Sequence, residues 1–134
     1  MQKKYSVIFI LSIAFFFTTH AQSGDNEWPL FRGNADLAGK VESELASSPK
    51  LLWSIKTGAR TKSSPVISDG KIYFGNDKGL LIAVSGDGRI IWRYEAGASL
   101  DAAPMVFGKK VIFGASDGIL RAVDKLSGRL IWSY

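Results

Sequence analysis

Five aspartates, Asp77, Asp87, Asp101, Asp117 and Asp124, carry the oxygen donors that a hard cation such as calcium would need. Their placement argues for a plainer role. Asp87 and Asp117 each precede a glycine, where an aspartate closes a hairpin by bonding nearby backbone. Asp101 ends the loop Ala96-Gly97-Ala98-Ser99-Leu100-Asp101, and Gly58-Ala59-Arg60-Thr61-Lys62-Ser63 fills the equivalent place one unit earlier. Arg60, Lys62 and Asp101 are thus the candidates for meeting a ligand. Trp53, Trp92 and Trp132 offer faces for stacking on a planar cofactor, but their spacing of 39 and then 40 residues assigns them to repeated packing. Cysteine is absent and the single histidine is His20, near the N-terminus. No thiol nucleophile and no histidine base can be drawn from the rest of the chain, so no catalytic residue and no metal ligand is assigned.

The elements that position these residues follow from an internal repeat. One unit reads Ser64-Pro65-Val66-Ile67, Asp69 to Gly75, Gly79 to Val84 and Gly88 to Trp92. The next reads Ala103-Pro104-Met105-Val106, Gly108 to Gly114, Gly118 to Val123 and Gly128 to Trp132. Pro65 and Pro104, Gly75 and Gly114, Gly79 and Gly118, and Ala83 and Ala122 each lie 39 residues apart; one extra residue enters the last turn of the second unit. Lys71–Phe74 and Val111–Phe113 are rich in branched and aromatic side chains, as strands prefer. Asp69-Gly70, Lys78-Gly79, Asp87-Gly88, Asp117-Gly118 and Ser127-Gly128 are hairpin dipeptides. Four short strands per unit of about 40 residues is the arithmetic of a β-propeller blade. Leu80-Leu81-Ile82-Ala83-Val84 is continuously apolar, as suits a strand covered on both faces, and alanine at 83 and 122 fits the crowding between stacked sheets. Leu51–Ile55 reads as a lone strand of the fourth type, ahead of two complete blades. The fold expected is therefore all-β: an incomplete propeller of two four-stranded antiparallel blades plus one orphan outer strand. The loops holding Arg60, Lys62 and Asp101 can then face the central channel.

The run Ala122-Val123-Asp124-Lys125-Leu126-Ser127-Gly128-Arg129-Leu130-Ile131-Trp132 resembles the tryptophan-docking motif Ala-x-Asp-x-x-Thr-Gly-x-x-x-Trp of the pyrroloquinoline-quinone-repeat propellers, with Ser127 where threonine is usual. The first unit matches more loosely, with Ser85 at the aspartate position and one residue fewer. Trp28-Pro29-Leu30-Phe31-Arg32-Gly33-Asn34 is similar to the lead-in that precedes the first blade in exported members. The resemblance implies a ring of seven or eight blades with the tryptophans as a girdle, a structural hydrogen bond for Asp124, and a docking role for Trp53, Trp92, Trp132, Gly128, Ala83 and Ala122. It also implies one of two functions. Quinoprotein dehydrogenases of the family hold the quinone and calcium in the channel, often beside a vicinal cysteine pair that this chain lacks. BamB-like members are non-catalytic scaffolds for protein partners. The motif is common to both branches and diagnoses architecture, not chemistry.

Lys3 and Lys4 precede an apolar stretch from Val7 to Phe17 and small residues at Thr19 and Ala21. That is the layout of a secretory signal peptide over residues 1–21, and the apolar stretch falls short of the roughly 20 residues a membrane-spanning helix needs. Residues 22–50 form a lead-in and 51–134 the repeats. The expected location is periplasmic or extracellular. The formal net charge of +5 becomes +3 without those two lysines, and the basic residues are scattered, which argues against nucleic acid. The absence of cysteine excludes disulfides and a thioether lipid anchor. Two blades would leave an apolar face and open edges, so the chain reads as the fragment of a longer propeller whose missing blades are its first partners. The expected function is a non-catalytic scaffold for protein or polymer partners, without a cofactor of its own. The alternative is the N-terminal part of a quinone-dependent alcohol or sugar dehydrogenase, with the quinone and calcium bound by the full-length parent.

Overall fold

The structure, a computed structural model, describes residues 27–41 and 46–134. The expected signal peptide lies outside the described residues, as do parts of the lead-in at 22–26 and 42–45. Eight strands form two antiparallel sheets. The first contains β1 (Val66–Ser68), β2 (Lys71–Gly75), β3 (Leu80–Ser85) and β4 (Ile90–Glu95) in that order across the sheet. The second repeats it with β5 (Met105–Phe107), β6 (Lys110–Gly114), β7 (Leu120–Asp124) and β8 (Leu130–Ser133). The described residues contain no helix. β1 and β5 start two residues later than the repeat alone implies, directly after Pro65 and Pro104, because proline has no N–H to give a ladder.

The main core lies between the sheets. Val66, Tyr73, Ala83 and Trp92 stand opposite one another across the first sheet and so share one face, and all four are buried. Val111, Phe113 and Val123 of the second sheet complete that layer. Tyr73 and Trp92 pack with ring centroids 5.8 Å apart, and Tyr94 meets Phe113 edge-on at 5.7 Å. Among the described residues the buried Tyr73 hydroxyl has no hydrogen-bond partner, and burial pushes its pKa up to about 12.

Each outer strand carries a bulge. Ala83 faces Trp92 but Val84 faces Ile90, so Ile91 is the extra residue; Ala122, Trp132, Val123 and Leu130 repeat the pattern around Ile131. Residues two apart in a regular strand share a face. The inserted residue reverses this, so that Trp92 enters the layer between the sheets while Ile90 packs on the other side of its own sheet.

That other side is covered by residues 51–57. Trp53 and Ile55 lie against Phe74, Ile82 and Val84. The segment read as an orphan strand has no ladder among the described residues, since three sheet partners would have to lie beside it. Its side chains still alternate: Trp53, Ile55 and Thr57 are half-buried and Leu52, Ser54 and Lys56 exposed. The lead-in closes the opposite edge. Trp28 exchanges two backbone hydrogen bonds of 2.8 Å with Ile67 on β1, and the Pro29 carbonyl accepts the Val106 N–H of β5 at 2.7 Å. One short segment thus joins the first strands of both sheets.

Candidate functional site

Two recurring turns receive the indoles. The Trp53 Nε1–H donates to the Gly86 carbonyl at 2.7 Å, and the Trp92 Nε1–H donates to the Lys125 carbonyl at 3.1 Å. A Cβ on Gly88 would lie 2.7 Å from the Trp53 ring, and one on Gly128 equally close to Trp92. Both glycines also have positive φ, +86° and +70°, which ordinary side chains resist. Each indole therefore lies flat on a glycine of the following sheet's last turn and satisfies its N–H there. Ala83 and Ala122 are fully buried directly opposite Trp92 and Trp132, where a larger side chain would meet the ring. Trp132 is half-buried, and its indole nitrogen has no partner among the described residues.

Asp124 shapes the second turn. Its Oδ1 accepts the N–H of Leu126 at 3.1 Å, the N–H of Ser127 at 2.8 Å and the Ser127 hydroxyl at 2.7 Å. The Ser127 hydroxyl is the main cause holding this carboxyl below its usual range. In the first unit the pair is transposed, with the Ser85 hydroxyl donating to Asp87 and lowering its pKa. This explains how the looser first motif makes the same turn.

Lys125 adds a contact the repeat does not encode. Its N–H reaches the Lys109 carbonyl at 2.9 Å, and its Nζ meets Asp69 of the other sheet at 2.6 Å. The ammonium holds Asp69 below the usual carboxylate range. Arg121, nearly buried, binds Asp117 through both Nη atoms at 3.1 and 2.6 Å and thereby lowers Asp117 to about 2. In the first repeat the position of Arg121 is Ile82, so periodicity offered no signal for this pair.

On the loops that lead into the two sheets, Arg60 pairs with Asp77 at 3.0 Å, while Lys62 Nζ lies 4.0 Å from Asp101. The structure thus brings Lys62 and Asp101 together and gives Arg60 a different partner. Both pairs are solvent-exposed on at least one side and add little to stability. Asp101 also accepts the Ser99 hydroxyl at 2.8 Å. Among the described residues no three acidic, histidine or cysteine side chains converge as a metal site would require. Asn76 went unremarked in the sequence yet is fully buried. Its Oδ1 accepts the N–H groups of Lys78 and Leu80, and its Nδ2 donates to the Thr57 carbonyl at 3.3 Å, fastening residues 51–57 to the first sheet. The equivalent residue one repeat later is Ala115, so only an unequal pair of repeat positions hinted at it.

The free face of the second sheet repeats the covered face of the first. Met105, Ile112, Leu120, Ala122, Trp132 and Tyr134 correspond to Val66, Tyr73, Leu81, Ala83, Trp92 and Tyr94. Trp92 is 8% exposed under its neighbour, whereas Leu120 is 42% and Tyr134 93% exposed.

Four-stranded antiparallel sheets of 39–40 residues, stacked through indoles that bond the next sheet's turn, define two blades of a β-propeller. The chain belongs to the pyrroloquinoline-quinone-repeat family: the family model described as outer membrane protein assembly factor BamB matches residues 38–134. Among solved structures, BamB from Moraxella catarrhalis is similar, with 27% identity and a TM-score of 0.58, covering 62% of this chain and 27% of that one. Quinohemoprotein alcohol dehydrogenase from Comamonas testosteroni shares the fold with a TM-score of 0.72 at 21% identity, covering 85% of this chain and 20% of the other. The quinohemoprotein alcohol dehydrogenase ADHIIG from Pseudomonas putida HK5 does so at 0.70 and 21%, over 82% of this chain and 19% of its own. The chain thus spans between a fifth and just over a quarter of these proteins. No curated protein sequence is significantly similar to it.

Proposed function

We propose that this chain is part of an exported, non-catalytic propeller that presents binding surfaces to protein partners, the nearest being further blades of a longer chain. The observation that carries this reading is the match of residues 38–134 to the family model of an outer membrane assembly factor; the free face of the second sheet, which exposes Leu120 and leaves Trp132 without a bonded turn, supports the partner surfaces alone, because either branch of the family would cover it. A contiguous apolar face of this kind belongs in a protein interface. The family description, an outer membrane assembly factor, and the 27% identity to BamB support a scaffold role and an exported location. The basic and apolar layout of residues 3–17 supports export independently. The Trp53, Trp92 and Trp132 indoles, with Asp124, Gly128, Ala83 and Ala122, serve blade stacking in this reading and take no ligand.

A second reading, the N-terminal part of a quinone-dependent dehydrogenase, has the likeness of fold to the two alcohol dehydrogenases in its favour. In such a parent the quinone and calcium would sit in the channel. Turnover by the chain itself would decide against the scaffold reading. The purified chain, incubated with pyrroloquinoline quinone, calcium and a primary alcohol, is expected to reduce no dye acceptor above the protein-free rate. Dye reduction that depends on the chain would overturn the scaffold reading.

A further inference from the structure

Three adjoining cavities run along the lead-in and the loops that enter the two sheets. The first, of about 480 Å³, is lined by Trp28, Phe31 and Arg32; the second, of about 350 Å³, by Phe31, Ser64 and Asp101; the third, of about 320 Å³, by Asp101, Ser99 and Ser116. Phe31 joins the first to the second and Asp101 the second to the third, so they form one groove. Its lining passes from aromatic rings to a carboxylate flanked by hydroxyls.

We propose that this groove binds an oligosaccharide chain, with Phe31 as the stacking platform and Asp101 as the hydrogen-bond acceptor for sugar hydroxyls. This deepens the scaffold reading, on which it rests, by naming a ligand class for these loops. Phe31 is 54% exposed, a large aromatic face left at the junction of two cavities. An apolar body with few placed polar groups is the usual make-up of a ligand cleft. The C–H face of a pyranose suits such a ring, and its paired hydroxyls suit a carboxylate that accepts from two donors. Lys62 lies 4.0 Å from Asp101, and Arg32 beside Phe31 adds a donor for sugar hydroxyls at the aromatic end.

An extended peptide fits less well. Peptides held in such grooves gain affinity by adding a strand to a free sheet edge. Here Ile67 already spends both its N–H and its carbonyl on Trp28, and the Val106 N–H is bonded to Pro29. Side chains remain available along the groove, whereas most of the main-chain edge is already bonded.

The test is calorimetric titration of the whole chain, without quinone, with maltohexaose and separately with cellohexaose. The expected result is saturable binding of at least one, weakened about tenfold by Phe31→Ala and restored by Phe31→Tyr. Asp101→Asn should weaken binding by a smaller factor, and Trp132→Ala, which lines none of the three cavities, should leave it unchanged. Failure of both sugars to bind a chain whose circular dichroism shows the β-fold would overturn the proposal, as would binding indifferent to Phe31→Ala. So would saturable binding of an alternating Thr-Val hexapeptide in place of either sugar. None of these outcomes touches the scaffold reading, which fails only if quinone-dependent turnover is found.

Discussion

At Gly128 two constraints coincide: a φ of +70° and a ring 2.7 Å from where a Cβ would stand. The left-handed conformation alone costs a non-glycine residue about 1–2 kcal/mol, and the displaced indole adds to it. Gly128→Ala is therefore expected to lower the denaturant midpoint clearly. Trp92→Ala should cost about 3–5 kcal/mol, as loss of a buried large aromatic does, whereas Trp132→Ala should cost far less, because no following turn receives its ring. Equilibrium urea unfolding of the three variants checks this. Equal losses at the two tryptophans would show that stacking between sheets is not what Trp92 contributes. These positions were legible in the sequence because a glycine and a tryptophan that recur in register mark a packing contact made once per repeat. The identity of each indole's acceptor was not legible, since a backbone carbonyl leaves no mark in a sequence.

At the scale of elements, the strands and hairpins could be read from β-branched runs and glycine dipeptides, whereas the bulges could not. Ile90-Ile91-Trp92 and Leu130-Ile131-Trp132 are uninterrupted apolar triplets, and only the register across β3 and β7 shows which residue is the insertion. The cross-element charges were equally hidden: Asp69 and Lys125 are 56 residues apart and occupy turns with no shared motif. Arg121 and Asp117 belong to the hairpin into β7 and give a pH prediction. The Asp117 carboxyl is held at about 2 against an ordinary 3.8, so its contribution is complete above pH 4 and disappears as pH falls toward 2. Asp69 is lowered in the same direction by Lys125 and acts with the same sign. Asp117→Asn should be less stable than the parent at pH 7, because it leaves the guanidinium of Arg121 without its carboxylate, and should lose less stability on acidification. Urea midpoints at pH 7, 4 and 2 measure both; a parent and variant that decline in parallel would remove Asp117 from the account.

For the molecule as a whole, the correspondence of one covered face with one exposed face makes a quantitative expectation possible. Repeat arrays gain stability from each nearest-neighbour interface. Appending a third copy of residues 96–134 should bury Trp132, raise the thermal midpoint and shift indole emission to shorter wavelength. An unchanged midpoint in a monomeric product would mean that the exposed face is not built for a sheet of its own kind. The propeller class was legible from the period and from the glycine turns that divide each unit into four short strands. The groove beside Phe31 was not, because it forms where the lead-in crosses loops from two different blades, and nothing local to residues 28–34 encodes what they will lie beside.

That crossing has a consequence for how the chain is made. Trp28 and Pro29 are synthesised before either sheet, yet their partners are Ile67 and Val106, and Val106 emerges only when the second blade is under way. The earliest residues of the described region must wait, tethered to Ile67 and Asp69 of the first blade, until the second blade offers its edge. Such a long-range closure is slow by comparison with hairpin formation. The seam between the blades is accordingly the last stitch drawn by translation, although it is held by the first thread.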